Sequence, residues 1–161
     1  MYLSTLRLWN FRKYCAMADE KPGLEIHFQE GVNVLMGEND SGKTAIVDAI
    51  RYVLRTQSGE FIQFEDKDFY QEPDGNRKDE FKIECVFDGI NEQDAGLFWE
   101  WLSWNDDKTK YLLKVWLYAK RKDNIIMPTF SAGIEGQAER MDSEARELLK
   151  VVYFKPLRDA L

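Results

Sequence analysis

The sequence is poor in two residue types that often carry chemistry, because its 161 residues include two cysteines and one histidine. Cys15 and Cys85 can form one disulfide at most, and they are too few and too isolated for a zinc site. With the single histidine His27 on the polar face of a predicted strand, neither a Ser-His-Asp triad nor a multi-histidine metal site can be built without a partner. The N-terminus lacks the layout of a signal peptide, so reduced thiols and a cytoplasmic location are expected.

Long apolar runs and an excess of positive charge are also missing. No stretch of 18 apolar residues exists, so no membrane span is predicted. The chain has 22 Lys+Arg against 29 Asp+Glu, a net charge of -7, which argues against a free-standing nucleic-acid clamp. Its one compact basic run, Lys120 to Lys122, is interpreted as the solvated tip of a hairpin. With 44% apolar and 32% charged residues, the composition excludes disordered and collagen-like chains and suits one globular unit, residues 1–161.

Hydrophobic periodicity predicts an α/β chain with a mixed sheet and a second half that is rich in antiparallel strands. The residues from Val32 to Met36 are mostly apolar and predict a buried central strand. Helices are predicted from the end of the 37–44 segment to about 55, at 91–104 and at 141–150, the last capped by Asp142 or Ser143. The other strands are predicted at 2–11, 24–28, 81–87, 111–119, 125–130 and 151–154.

One segment carries a specific chemical pattern, G-x-x-x-x-G-K-[ST]. Its glycines let successive backbone N–H groups point at phosphate oxygens, and the helix that follows adds its own N–H groups and positive dipole end. Lys43 is expected to bridge the β- and γ-phosphates and Thr44 to supply a hydroxyl to Mg²⁺. A chance match over this chain has a probability of about one per cent, from average glycine usage. The predicted phosphate-binding residues are Gly37, Glu38, Asn39, Asp40, Ser41, Gly42, Lys43 and Thr44.

Hydrolysis of a bound nucleotide also needs a carboxylate that holds Mg²⁺ and a residue that orients water. The nearest candidate is the strand Glu84 to Asp88, but a charge interrupts it and Gly89 follows. We interpret it as a half-exposed strand. The chain is therefore expected to carry only part of an ATPase site.

The motifs at the two ends of the chain resemble known families. Leu6-x-Leu8-x-Asn10-Phe11-Arg12, followed by Gly31-Val32-Asn33-Val34-Leu35-x-Gly37 and the rest of the phosphate loop, is similar to the SMC/RecF-type branch of ABC ATPases. The segment Val151 to Ala160 resembles the Tyr-x-x-Pro-Leu-Arg-Asp-Ala segment of OLD-family (overcoming lysogenization defect) ATP-dependent nucleases. The resemblance implies a P-loop NTPase fold of the ABC/SMC type, here as the N-terminal ATPase lobe.

The resemblance also implies roles for particular residues. The loop from Gly37 to Thr44 would bind ATP and Mg²⁺, and Arg12 matches a position that approaches the nucleotide, with a plain surface arginine as the alternative. The glutamine-bearing loop of ABC ATPases has no clear match. Its candidates are Gln63, Asp68 and Asp159, each of which can also be an ordinary exposed residue.

Several parts of the implied domain are missing from these 161 residues. The signature motif, the second Mg²⁺ carboxylate (the Walker B segment), the switch histidine and the C-terminal Toprim nuclease lobe have no counterpart. The segment Phe130 to Glu135 imitates a signature loop, but it follows a hairpin strand and no convincing amphipathic helix begins there. Because the chain stops at Leu161, where a helical insertion would begin, we expect a partial domain.

Three functions remain open at this point. In the first, nucleotide state regulates DNA cleavage in a complete OLD-type protein that acts in phage defence or DNA repair, with ATP, DNA and a second copy of the chain as partners. The second is an SMC/RecF-type DNA repair ATPase without nuclease activity. The third is a non-enzymatic nucleotide-sensing module, motivated by the tryptophans of the second half, for which core packing is the other interpretation; they are Trp99, Trp101, Trp104 and Trp116.

Overall fold

A computed structural model describes residues 1–38 and 41–155. The strands are β1 (Tyr2–Trp9), β2 (Leu24–His27), β3 (Glu80–Asp88), β4 (Leu102–Trp104), β5 (Tyr111–Lys122) and β6 (Ile125–Ala132). The α-helices are α1 (Lys43–Leu54), α2 (Glu92–Phe98) and α3 (Ser143–Leu148). Short 3-10 turns cover Ala18–Glu20, Asp66–Asp68 and Trp99–Trp101.

The strands form one sheet in the order β2-β1-β3-β5-β4, and β6 also pairs with β5. Every ladder is antiparallel. Among the described residues, one pairing is parallel, an isolated bridge between Thr56 and Val151. The mixed sheet that was predicted is therefore antiparallel except at this bridge. The expected α/β fold with an antiparallel second half is confirmed.

Helix α1 covers one face of the sheet. The strand register aligns Leu8, Ile83 and Leu117 across the three central strands, and all three are buried. Ala49 and Val53 of α1 are also buried and belong to the same core. Burying a side chain of leucine or isoleucine size stabilises the fold by about 1.5–3 kcal/mol, so this layer holds α1 in place.

The opposite face of the sheet carries a buried ionic cluster centred on Glu84. Its carboxylate accepts hydrogen bonds from Arg7 Nη1 at 2.5 Å and from Trp116 Nε1 at 2.6 Å. Burial acts to lower the pKa of Arg7, but its hydrogen bonds to Glu25 and Glu84 outweigh that effect and raise it. The interpretation of this segment as a half-exposed strand was wrong, because β3 lies in the middle of the sheet and Glu84 is buried.

Two predicted strands are absent. The residues from Val32 to Met36 form no strand, and Val34 is 74% exposed. The segment 151–154 makes only the bridge at Val151, and Phe154 is largely exposed. A strand needs a neighbour that satisfies its backbone N–H and C=O groups, and no described strand runs beside either segment.

The predicted helix 91–104 ends early. Helix α2 stops at Phe98, and β4 then pairs with the start of β5. Of the four tryptophans discussed above, Trp101 and Trp116 are buried, whereas Trp99 and Trp104 are exposed. The core-packing interpretation therefore holds for two of the four, and the pairing of β4 overrides the helical pattern.

The remaining elements agree with their predictions. Strands β1, β2 and β3, the β5–β6 hairpin and helices α1 and α3 lie where the periodicity placed them. Asp142 caps α3, because its carboxylate accepts a hydrogen bond from the Ala145 N–H at 2.7 Å. In the part of the chain that the structure describes, the helices are all too short or too polar to cross a bilayer.

Candidate functional site

The phosphate loop leads directly into helix α1. Gly42 has a φ of 97° and precedes the first helical residue, Lys43. A Cβ atom on Gly42 would lie 2.1 Å from the Tyr14 hydroxyl, and one on Gly37 would lie 2.6 Å from Ser41 Oγ. The left-handed backbone at Gly42 therefore favours glycine, as the motif predicts, whereas the contact at Gly37 is with a hydroxyl group that can rotate. The helix that follows the loop is confirmed, whereas the buried strand before it is wrong; Asn39 and Asp40 lie outside the described residues.

The loop gathers hydrogen-bond donors at one end of α1. The Nζ of Lys43 folds back and donates to the Gly37 carbonyl, and the Nζ of Lys13 donates to the Ser41 carbonyl at 3.1 Å. The first helical hydrogen bond runs from the Ile46 N–H to the Gly42 carbonyl, so the three preceding N–H groups have no partner within the helix. Two ammonium groups and a free helix N-terminus favour an anion at this place.

Thr44 and the loop residue Glu38 are open to solvent, and so is Ser41. The Thr44 hydroxyl thus lies at the mouth of the loop, where a hard cation that accompanies phosphates would find an oxygen ligand. The described residues fit a nucleoside triphosphate with Mg²⁺ in donor type, since ammonium and backbone N–H groups suit the phosphates and the Thr44 hydroxyl suits the metal.

Arg12 lies beside Thr44, in a groove of about 660 Å³. Its guanidinium donates to Asp68 Oδ1 at 3.1 Å, to Asp48 Oδ2 at 2.7 Å and to the Tyr52 hydroxyl at 3.2 Å. The side chain is 20% exposed, unlike a plain surface arginine. Burial lowers the pKa of Arg12, and the bond to Asp48 with the two nearby carboxylates raises it by more. Arg12 is therefore a fixed guanidinium next to the loop, and its charge is offset by two carboxylates.

Sequence reasoning missed several residues around the loop. Lys13 and Tyr14 contact the loop from the end of β1, and Asp48 and Tyr52 hold Arg12 from α1. The signal for Asp48 was its position four residues after Thr44, one helical turn further on the same face. Tyr52 lies one further turn along the same face, and for Lys13 and Tyr14 no local pattern existed, because β1 and α1 meet only in the folded chain.

A second groove of about 740 Å³ flanks α1 on the side of residues 151–155. Its walls include Lys43, Arg51, Glu60 and Phe154. The guanidinium of Arg51 lies 4.2 Å from the centre of the Tyr153 ring, and it donates to Glu60 at 2.7 Å. The start of α1 is thus open on two sides.

The other candidates lie apart or have local partners. Asp68 is completely buried against Arg12, contrary to the expectation of an exposed residue; Gln63 is exposed, and Asp159 lies outside the described residues. Glu84 faces away from α1, on the other side of the sheet. His27 is 68% exposed and pairs with Glu25, in agreement with a surface role.

Two sequence patterns that were set aside are also explained. Strand β6 ends at Ala132, and the next helix, α3, begins only at Ser143, so the segment 130–135 is not the start of a signature helix. In the basic run at the hairpin, Arg121 pairs with Asp66 and Asp79.

Cys15 and Cys85 are both free thiols, and in the described ranges no three His, Cys, Asp or Glu side chains converge on a metal site.

Comparison with known proteins identifies the family of this chain. Residues 1–155 match the family model described as AAA ATPase domain. The DNA replication and repair protein RecF of Pediococcus pentosaceus is 47% identical over 58 residues, which is 36% of this chain and 14% of that protein. The chromosome partition protein Smc of Chlorobaculum tepidum is 36% identical over 63 residues, 39% of this chain and 5% of that protein. The chain thus spans a small part of these relatives.

Solved structures show the same fold. One solved chain comes from work on the structural biochemistry of ATP-driven dimerization and DNA stimulated activation of SMC ATPases. It superposes on this chain with a TM-score of 0.59 at 16% identity, and the superposition covers 92% of this chain and 77% of that one. An Smc head bound to the C-winged helix domain of ScpA gives a TM-score of 0.54 at 19% identity, over 92% of this chain and 38% of that one. The predicted P-loop NTPase fold of the ABC/SMC type is confirmed.

Proposed function

Since the chain belongs to the AAA ATPase domain family, in its SMC/RecF type, we propose that it binds ATP with Mg²⁺ through the loop from Gly37 to Thr44. The observation that carries the proposal is the position of this loop, which turns at the left-handed Gly42 into the open N-terminus of α1. Lys43 and the backbone N–H groups would hold the phosphates. Thr44 would hold the metal, which supplies charge neutralisation between the phosphates.

Arg12 has a supporting role in this proposal. Its guanidinium is fixed by Asp48 and Asp68 beside Thr44, and these carboxylates offset its charge. The N–H donors of Nη1 and Nη2 that these contacts leave over would therefore meet a phosphate oxygen without the entropy cost of ordering a free side chain. The groove of Arg12 and Lys13 also contains Tyr70. This groove gives the part of the nucleotide beyond the phosphates a polar wall and an aromatic ring.

For the whole protein we propose an OLD-type ATPase in which nucleotide state regulates DNA cleavage, in phage defence or DNA repair. Support comes from the segment Val151 to Ala160, although residues 156–161 lie outside the described residues. An SMC/RecF-type DNA repair ATPase without nuclease activity is the second candidate, and the RecF and Smc relatives favour it. In both, residues 1–161 are the N-terminal part of the ATPase domain, and two copies of the chain would share the nucleotide sites. A Toprim-like acidic cluster further along the parent gene distinguishes the two candidates.

A non-enzymatic nucleotide-sensing module is the third candidate. Trp99 is 73% exposed, and Trp104 stacks on Tyr111 with ring centres 4.2 Å apart at the surface. Such exposed aromatic area suits a protein partner.

The test of nucleotide binding is thermal unfolding with and without ATP–Mg²⁺. Because ligand binding stabilises the folded state by mass action, ATP at about a hundred times its Kd should add roughly 2.7 kcal/mol to the free energy of unfolding. Lys43→Ala should remove most of this gain. Lys108→Ala, at an exposed turn, is the matched control and should keep it. An equal gain in both variants, or none in the wild type, would contradict the proposal.

A further inference from the structure

A second set of positive charges lies at the opposite end of α1 from the phosphate loop. Arg55 follows the last residue of α1, Arg140 precedes α3, and Arg146 lies within α3. All three line a cavity of about 820 Å³ whose wall also includes Phe130 and Met141. Since a helix of this length spans about 18 Å, this cavity is separate from the nucleotide loop.

The three guanidiniums have no ion-pair partner in the described part of the chain. The Nε of Arg146 is buried without a hydrogen-bond acceptor, and its guanidinium carbon lies 3.9 Å from the centre of the Phe130 ring. The acidic residue on the wall is Asp142, whose carboxylate is engaged by the Ala145 N–H. Desolvation and the neighbouring Arg55 and Arg140 lower the pKa of Arg146. Arg140 is exposed, whereas Arg55 and Arg146 are half-buried, and half-buried like charges without an anion cost free energy.

The backbone of Arg55 is a second, independent sign. It has a φ of 66° and a ψ of 170°, a region that glycine occupies almost exclusively. An arginine at this position costs stability relative to glycine. The strained conformation brings a third guanidinium to the wall of the cavity.

We propose that the cavity bounded by Arg55, Arg140 and Arg146 is a binding site for phosphoryl groups. Guanidinium donates two parallel N–H bonds to phosphate oxygens, and three such groups suit a ligand with more than one phosphate charge. The phosphoryl groups can belong to a free polyphosphate compound or to the phosphodiester backbone of a nucleic-acid strand. The aromatic floor formed by Phe130 is compatible with both sources.

The test uses the 161-residue chain with Lys43→Ala as background, so that the phosphate loop does not contribute. Calorimetric titration with sodium pyrophosphate measures the free-anion source, and fluorescence anisotropy with a labelled oligothymidylate measures the strand source. Arg146→Gln and Arg55→Gly should each weaken the Kd of the bound probe by about tenfold, the loss of one charged hydrogen-bonding group. Lys108→Gln removes one positive charge from an exposed turn and should change the Kd by less than about twofold.

Arg55→Gly keeps the test decisive if Arg146→Gln fails to fold, because glycine suits the backbone at that position. Binding of either probe that falls in the arginine variants alone supports the site and identifies its source. Absence of binding by both probes, or equal weakening by Lys108→Gln, overturns the proposal. Titration of the Lys43 wild type with ATP reports separately on the nucleotide loop.

Discussion

At the scale of single residues, two left-handed backbone positions frame α1 and are filled differently. Gly42 precedes the helix with a φ of 97° and has no room for a Cβ atom. Arg55 follows the helix with a φ of 66° and carries a long charged side chain. Glycine at the first position serves geometry, whereas arginine at the second places charge at the expense of stability.

This contrast predicts the effect of Arg55→Gly on stability. Removing the side chain from a backbone region that glycine prefers should raise the free energy of unfolding by about 1 kcal/mol. Urea unfolding measures the change. Asn124→Gly is the control, because asparagine tolerates its φ of 65° in the β5–β6 turn and the substitution should change the free energy of unfolding by less than about 0.5 kcal/mol. A less stable Arg55→Gly variant would show that the arginine contacts outweigh the strain.

At the scale of elements, alternation and helical spacing predicted the elements that bury one face. Strand β1 and helix α1 were predictable because their apolar positions repeat at the period of the structure that they adopt. The segment 32–36 has the composition of a buried strand, but composition does not provide a neighbouring strand. The prediction for helix α2 was too long because residues 102–104 instead pair with β5, and local helical spacing does not reveal that strand pairing.

The exposed position of segment 32–36 can be tested with one matched pair of substitutions. Val34→Ala should change the free energy of unfolding by less than about 0.5 kcal/mol, because Val34 is 74% exposed. Val53→Ala in α1 should lower it by about 2 kcal/mol, because Val53 is fully buried and its truncation leaves a cavity. Chemical denaturation gives both values. Equal losses at the two valines would mean that segment 32–36 is buried in solution.

At the scale of the whole molecule, the described residues join the phosphate loop to an antiparallel sheet, and the carboxylates that were considered for a hydrolytic site have other partners. Asp88, which ends the strand nearest to a Walker B segment in sequence, pairs with Lys110 at 2.5 Å, and Glu84 in the same strand lies on the far side of the sheet in a pair with Arg7. Asp48 and Asp68, the carboxylates near Thr44, are occupied by Arg12. Among the described residues, these contacts leave no evident carboxylate to hold Mg²⁺ opposite Thr44.

The expected consequence is that the purified 161-residue chain binds ATP but turns it over at a rate close to that of Lys43→Ala. Phosphate release at saturating ATP–Mg²⁺ measures this rate. The physical reason is that the loop positions phosphates, while hydrolysis needs a metal carboxylate and an oriented water. Steady turnover that disappears in Lys43→Ala would contradict this expectation.

The sequence by itself determined the phosphate loop, the helix after it and most strands, because these depend on residue type and local spacing. Only the tertiary structure decided which charges meet. It placed Asp48, Asp68 and Tyr52 around Arg12, buried Glu84 between Arg7 and Trp116, and brought Arg55 to the same cavity as Arg146. Such contacts join residues far apart in the chain, and their energies arise from desolvation and pairing that no local pattern encodes.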